Sequence, residues 1–181
     1  MTSKEEYEAR IAQCDWSDLL DLWDAIEARD TPGWGPGKAF EYLVLRAFQL
    51  EGAEVGWPYT VNLGEELVEQ IDGVVYTDGL ACILESKDQG APTNVEPIAK
   101  LRNQLFRRPG GTIGAVFSRA GFTEPARILA QFVAPQTILL WEGAEVRYAL
   151  KTHRFRTVLC RKYRHLIEHG IPDHNVYSEE L

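Results

Sequence analysis

The chain has 181 residues, 45% hydrophobic and 25% charged, with a net charge of −8, the proportions of an ordinary globular domain with room for a core. No apolar run is long enough to span a bilayer, and Met1-Thr2-Ser3-Lys4-Glu5-Glu6 lacks the pattern of a secretory signal. Cys14, Cys82 and Cys160 lie far apart with no C-x-x-C pair, so they read as reduced thiols of a cytoplasmic protein, with Cys82 in the core.

In chain order, residues 3–11 and 17–28 are predicted helices, the second opened by a Ser17 cap. Trp16, Leu19, Leu20, Trp23 and Ile26 share one helical face, which must dock on something: the chain's own core, a homodimer or a partner. Residues 30–38, DTPGWGPGK, are a breaker-rich loop. Its Gly33 and Gly37-Lys38 are not a phosphate loop, because the spacing is one residue short, Ala39 replaces Ser/Thr and no strand precedes it. Residues 38–51 form an amphipathic helix, with Phe40, Leu43, Val44, Ala47, Phe48 and Leu50 at helical spacing and Gly52 as the stop.

Residues 53–61, 67–76 and 80–87 are predicted strands, and 96–107 a helix closed by Pro109-Gly110-Gly111. A buried strand follows at 112–117, a helix behind a Thr123 cap at 124–132, a short strand at 136–141, and a basic helical stretch from 143 to about 169. Strands in a meander, then alternating with helices, predict an α/β domain of three layers around a mixed sheet. No repeat, linker or second domain is evident in the sequence.

Asp78-Gly79 is the strongest hairpin signal, since a type I′ turn needs positive φ at both central residues. With those two as the loop, Thr77 faces Leu80, and pairing backwards sets Asp72 opposite Glu85. Lys87 then lies two residues further on, on the face of Glu85 and opposite Gln70. Opposed Cβ atoms are about 5 Å apart, and like charges there repel. Two readings are open: a hard divalent cation shared by the carboxylates, or a surface cluster of Asp, Glu and Lys with little energetic consequence. Glu41, beside Phe40 in the first turn of the 38–51 helix, joins the cluster if that helix covers the hairpin. Otherwise it complements the helix N-terminus.

An aspartate, a short hairpin and Glu-x-Lys resemble the signature of the PD-(D/E)xK nuclease superfamily, and within it the Mrr-like restriction endonuclease domain. The residues that carry the resemblance are FEYLVLRAFQLEGAEV (40–55), IDG (71–73), ESK (85–87) and GAVFSRAGFTEPA (114–126), over roughly residues 37–140. Such domains usually carry Gln where Glu85 stands, and residues 1–36 and the basic tail have no counterpart. The resemblance implies a restriction-endonuclease-like fold, with a nuclease core at 37–140 between an N-terminal helical extension (1–36) and a basic helical C-terminal extension (141–181). It implies Mg²⁺-dependent hydrolysis of DNA phosphodiesters, with Mn²⁺ as a substitute and RNA not excluded. Asp72 and Glu85 would be the metal ligands, Lys87 the catalytic lysine and Glu41 the upstream helix acid. Defence against foreign DNA and DNA repair are the roles such an activity serves.

Residues 1–98 hold 6 Lys/Arg against 20 Asp/Glu, and residues 99–165 hold 13 against 3. This polarity can present one basic surface to DNA, through Lys100, Arg102, Arg107, Arg108 and Arg119 and the Arg/Lys residues from Arg147 through Lys162 to Arg164. Alternatively, basic helix faces pair with acidic ones inside the fold or across a dimer. Gln89 and Gln104 either line the site or are exposed surface glutamines. No base-reading motif is present. Two other functions compete: a nuclease fold kept as a catalytically inactive nucleic-acid-binding or assembly module, and an H-x-x-E-H zinc site at His165, Glu168 and His169. Only twelve residues follow that string, too few for the distant third ligand such sites use.

Overall fold

The computed structural model describes residues 4–179, and Ser3, the first residue of the first predicted helix, lies outside the described residues. The elements are α1 (Lys4–Ala12), α2 (Trp16–Glu27), α3 (Lys38–Leu50), β1 (Glu54–Gly56), β2 (Tyr59–Leu63), β3 (Glu66–Ile71), β4 (Gly73–Thr77) and β5 (Leu80–Lys87). They continue with α4 (Glu96–Leu105), β6 (Thr112–Ser118), α5 (Glu124–Gln131), β7 (Ile138–Glu142), α6 (Gly143–Thr152), α7 (Phe155–His169) and a 3-10 turn at Val176–Glu179. Among the described residues no helix is long and apolar enough to cross a membrane.

Helix α2 is capped by Asp15 rather than Ser17. The Asp15 carboxylate accepts the N–H groups of Ser17 (2.8 Å) and Asp18 (3.0 Å), and Asp18 accepts the Asp15 N–H (2.9 Å). This reciprocal box satisfies three donors, which a hydroxyl inside the first turn cannot do. The apolar face of α2 is used within the chain: Leu19, Trp23 and Ile26 are buried, Trp23 packs on Phe40 (5.4 Å between rings), and Trp16 stacks on His153 (4.4 Å).

The main sheet has strand order β1-β4-β5-β6-β7, antiparallel from β1 to β5 and parallel from β5 to β7. Two predicted strands are broken. The 53–61 segment is interrupted at Trp57-Pro58, where proline has no N–H for a ladder. The 67–76 segment divides at Asp72: β3 leaves to pair with β2 in a separate two-stranded ribbon, while β4 stays in the main sheet. Alternation along the strands makes two cores. Val75, Cys82, Leu84, Phe117, Leu139 and Trp141 lie on the α3 side, where α2, α6 and α7 also pack. Ile71, Val74, Ile83, Val116 and Leu140 lie on the α4 and α5 side.

The C-terminal segment is held by a buried ion pair. Lys162, fully buried, donates from Nζ to both Glu145 oxygens (2.8 and 2.9 Å) and to the His174 carbonyl, and Glu145 also accepts the Val176 N–H (3.1 Å). Burial pulls the Lys162 ammonium pKa down and pushes that of the Glu145 carboxyl up, each offset by the opposite charge. Lys162 is therefore not one of the surface cations expected on the tail.

Gly73 lets α3 approach the sheet next to Asp72. A Cβ on Gly73 would lie 2.6 and 2.7 Å from the Cδ atoms of Leu45, itself fully buried. Glu41 precedes Leu45 by one helical turn and so comes down on the strand end. Gly73→Ala is expected to destabilise the protein by about 1–3 kcal/mol through overpacking, measured by urea unfolding; an unchanged midpoint would show that α3 has slack here.

Candidate active site

The site is built by the hairpin. Asp78 and Gly79 both have positive φ (51° and 78°), and the turn sets Thr77 opposite Leu80 and Gly73 opposite Leu84. The ladder ends there. Asp72 is the next residue, at the point where β3 departs, and its Oδ2 accepts the Ser86 backbone N–H (2.9 Å). Gln70 pairs with Thr60 in the ribbon, so Lys87 instead aligns with Ser118 of the parallel strand β6. Glu85 continues the face of Ile83, toward α4.

Glu85 has no solvent exposure, and Asp72 and Glu41 are 6% and 8% exposed. Lys87 Nζ lies 2.6 Å from Glu85 Oε1, and Lys100 Nζ, from α4, donates to Glu85 Oε2 at 2.6 Å. Lys38 Nζ donates to Glu41 Oε2, also at 2.6 Å. Burial and the Asp72 charge raise the Glu41 carboxyl to about 7 against the pull of Lys38, and Glu85 adds a smaller push. Burial and Glu85 likewise raise Asp72, against the Ser86 N–H, Lys100 and Lys87. Burial opposes the Lys87 ammonium, but contact with Glu85 and the fields of Asp72 and Glu41 outweigh it and raise its pKa. Glu41, Asp72, Glu85 and Lys87 thus gather into one electrostatic unit, joined by Lys38 and Lys100. The i, i+3 spacing of Lys38 and Glu41 was a readable signal for the first. The contact of Lys100 crosses from α4 to β5 and has no local sequence signal.

The donor set suits a hard divalent ion. Both Glu85 oxygens face an ammonium at 2.6 Å, so a cation would use them only beside those contacts or in exchange for them. Among the described residues no three His, Cys, Asp or Glu side chains form a ready-made metal cage. An ion held by two carboxylates plus water or substrate oxygens matches the habit of Mg²⁺ rather than of structural Zn²⁺. His165, for its part, stacks on His174 (3.5 Å between ring centroids) and lies 4.4 Å from His169.

Arg102, Arg107, Arg108 and Arg119, also expected to contact DNA, are tied to acids or packed. Arg107 and Arg108 both pair with Glu69, which is buried. Arg119 donates to Asp88 (2.7 Å) and to the Gln89 carbonyl (2.9 Å), and the Arg102 guanidinium lies 5.3 Å from the centre of the Phe106 ring. On the tail, Arg147 pairs with Asp24 and Glu27, and Arg156 with Asp78. The Gln104 side chain is buried and donates to the Gln70 carbonyl (3.1 Å), whereas Gln89 is exposed. A cavity of about 450 Å³ lined by Tyr7, Tyr42, Tyr59 and Gln70 adjoins the cluster through Lys38.

The raised Glu41 pKa makes stability depend on pH. Its unfolded value is 4.5 and its folded value about 7, so folding takes up a proton between these limits and stability falls as pH rises through them. Asp72, also raised, acts in the same direction. Without added metal, Tm is expected to fall between pH 5 and 8, with a flatter slope in Glu41→Gln. Superimposable wild-type and mutant slopes would show that Glu41 does not titrate there.

The Mrr_cat family model, described as "Restriction endonuclease", matches residues 35–150. No curated protein sequence matches the chain. Among solved structures, the crystal structure of AF1548, a protein of unknown function, is similar at a TM-score of 0.50 and 23% identity, over 62% of this chain and 65% of that one. The MspJI restriction endonuclease in complex with a 27-mer oligonucleotide is similar at a TM-score of 0.44 and 18% identity, over 87% of this chain and 35% of that one. The chain thus spans under two thirds of either structure's length. The likeness to AF1548 concerns the fold, a mixed sheet flanked by helices. The family match takes in α3, the hairpin with Asp72, Glu85 and Lys87, and α4, and over well more than half its length this chain belongs to the restriction endonuclease family.

Proposed function

We propose that the protein is a divalent-metal-dependent nuclease that hydrolyses DNA phosphodiester bonds, acting as an endonuclease in the cytoplasm, with defence against foreign DNA or DNA repair as its setting. The observation that carries this reading is Glu85: a fully buried carboxylate beside Asp72, with Lys87 on the same strand face and Glu41 above them. Asp72 and Glu85 would hold Mg²⁺, or Mn²⁺ in its place. When bound, such an ion supplies Lewis-acid stabilisation of the phosphate and a more acidic water.

The remaining steps fall to the chain's own groups. Lys87 would orient the attacking water and hold the developing negative charge on a non-bridging oxygen. Glu41, with its carboxyl at about 7, is poised near neutral pH to take the proton that the water loses. The water oxygen forms the new bond to phosphorus, the bond to the leaving sugar oxygen breaks, and that oxygen takes a proton from solvent water. Lys100, Arg102, Arg107, Arg108 and Arg119 would meet the phosphate backbone if DNA draws them from their present partners.

One observation favours a second reading, the catalytically inactive binding module: both oxygens of Glu85 already have an ammonium beside them. Nicking of supercoiled plasmid with Mg²⁺ or Mn²⁺ separates the two. The wild type is expected to nick, with Lys87→Ala slower by about 10²–10³-fold. Equal rates, or no cleavage of any DNA or RNA by folded wild type, would overturn the nuclease reading. Glu85→Gln is expected to weaken Mn²⁺ binding in calorimetric titration while the melt stays cooperative; loss of folding would mark Glu85 as structural.

A further inference from the structure

The nuclease reading gives Lys100 a phosphate to meet but does not account for its contact with Glu85. Three carboxylates, Glu41, Asp72 and Glu85, face three ammoniums, Lys38, Lys87 and Lys100, so the cluster is formally neutral with every group ionised. A divalent ion added to this set brings two surplus positive charges into a site whose central acid is shut off from water. An ammonium at 2.6 Å from a carboxylate oxygen also occupies the side from which a cation would approach.

The lysines differ in freedom. Lys87 is fixed to Glu85's own strand, two residues away, and its side chain is 32% exposed. Lys100 reaches in from α4, and its side chain is 41% exposed at the rim. A flexible four-carbon stem with an ammonium at the border of solvent can swing outward, provided that another cation takes its place beside the buried Glu85. Incoming DNA offers phosphates at that rim, each able to replace the lost carboxylate contact.

We propose that Lys100 is a built-in counterion of Glu85 that competes with the divalent ion and transfers to a DNA phosphate when substrate arrives, so that metal and DNA bind cooperatively. This rests on the nuclease reading. Lys100 is accordingly a positioning residue that acts through Glu85. In the metal-free protein it neutralises a buried carboxylate, and in the assembled complex it helps hold the substrate backbone. Loading of the ion is thereby linked to the presence of a target, since each ligand removes an obstacle to the other.

The test is Mn²⁺ binding, followed by the paramagnetic resonance signal of free Mn²⁺, with and without a short DNA duplex. In the wild type, DNA is expected to tighten Mn²⁺ binding about tenfold, within the usual range of coupling between sites. Lys100→Gln is expected to bind Mn²⁺ about tenfold tighter than wild type without DNA and to lose most of the DNA effect. Lys100→Arg, which keeps the charge, should resemble the wild type. A merely structural lysine would give a lower Tm and unchanged or weaker Mn²⁺ binding. Equal or weaker binding by Lys100→Gln than by a wild type that does bind Mn²⁺ overturns this inference and leaves the nuclease reading intact. A wild type that binds no Mn²⁺ in either condition overturns both.

Discussion

A carboxylate without access to water must be met by positive charge or give up its own, and the buried Glu85 imposes that condition on everything around it. Its strand lies near the middle of the sheet, between an antiparallel neighbour that leads to Asp72 and a parallel neighbour that precedes α5. Helix α4, the link between β5 and β6, returns over the sheet and delivers Lys100 to one oxygen, while Lys87 on the same strand stands at the other. Helix α3, admitted by Gly73, adds Glu41 and its partner Lys38. The result is a set of buried acids balanced by partly exposed ammoniums.

The same exchange of charge between chain halves recurs elsewhere. Arg147 of α6 meets Asp24 and Glu27 of α2, Arg156 of α7 meets Asp78 in the hairpin turn, and Arg107 and Arg108 close on Glu69 of β3. The acidic first half and the basic stretch after residue 98 therefore serve in good part as each other's counterions. The exposed pairs of Arg147 and Arg156 each contribute little, but all of these contacts leave fewer cations free for a ligand than a count of Lys and Arg suggests. A basic face for DNA would then have to be assembled in part by exchange of partners.

The broken strand at Asp72 has a functional consequence. A residue inside a continuous ladder has its backbone groups committed, and its side chain is held roughly perpendicular to the sheet on one fixed face. Asp72 falls where the chain passes from one sheet to another, so its carboxylate turns onto the Ser86 N–H and toward Glu85. The ribbon of β2 and β3 is thus what ends the hairpin ladder at the acid.

Most of the fold was legible from local chemistry. The 3.6-residue pattern of α3, the Asp78-Gly79 turn and the apolar runs of β5, β6 and β7 depend on neighbours in sequence, so they stand in the structure near where periodicity places them. The turn alone dictated the register that aligns Glu85 with the strand end, because a two-residue loop permits one pairing. The cap of α2 and the divided strands were missed, since a box of two aspartates and a switch of sheet partner depend on which neighbour wins. The pairing of Lys100 with Glu85, of Lys162 with Glu145 and of the arginines with the N-terminal acids was settled only by tertiary structure. Charge carries no periodicity that names its partner, and burial, which makes each pairing compulsory, exists only once the layers have closed.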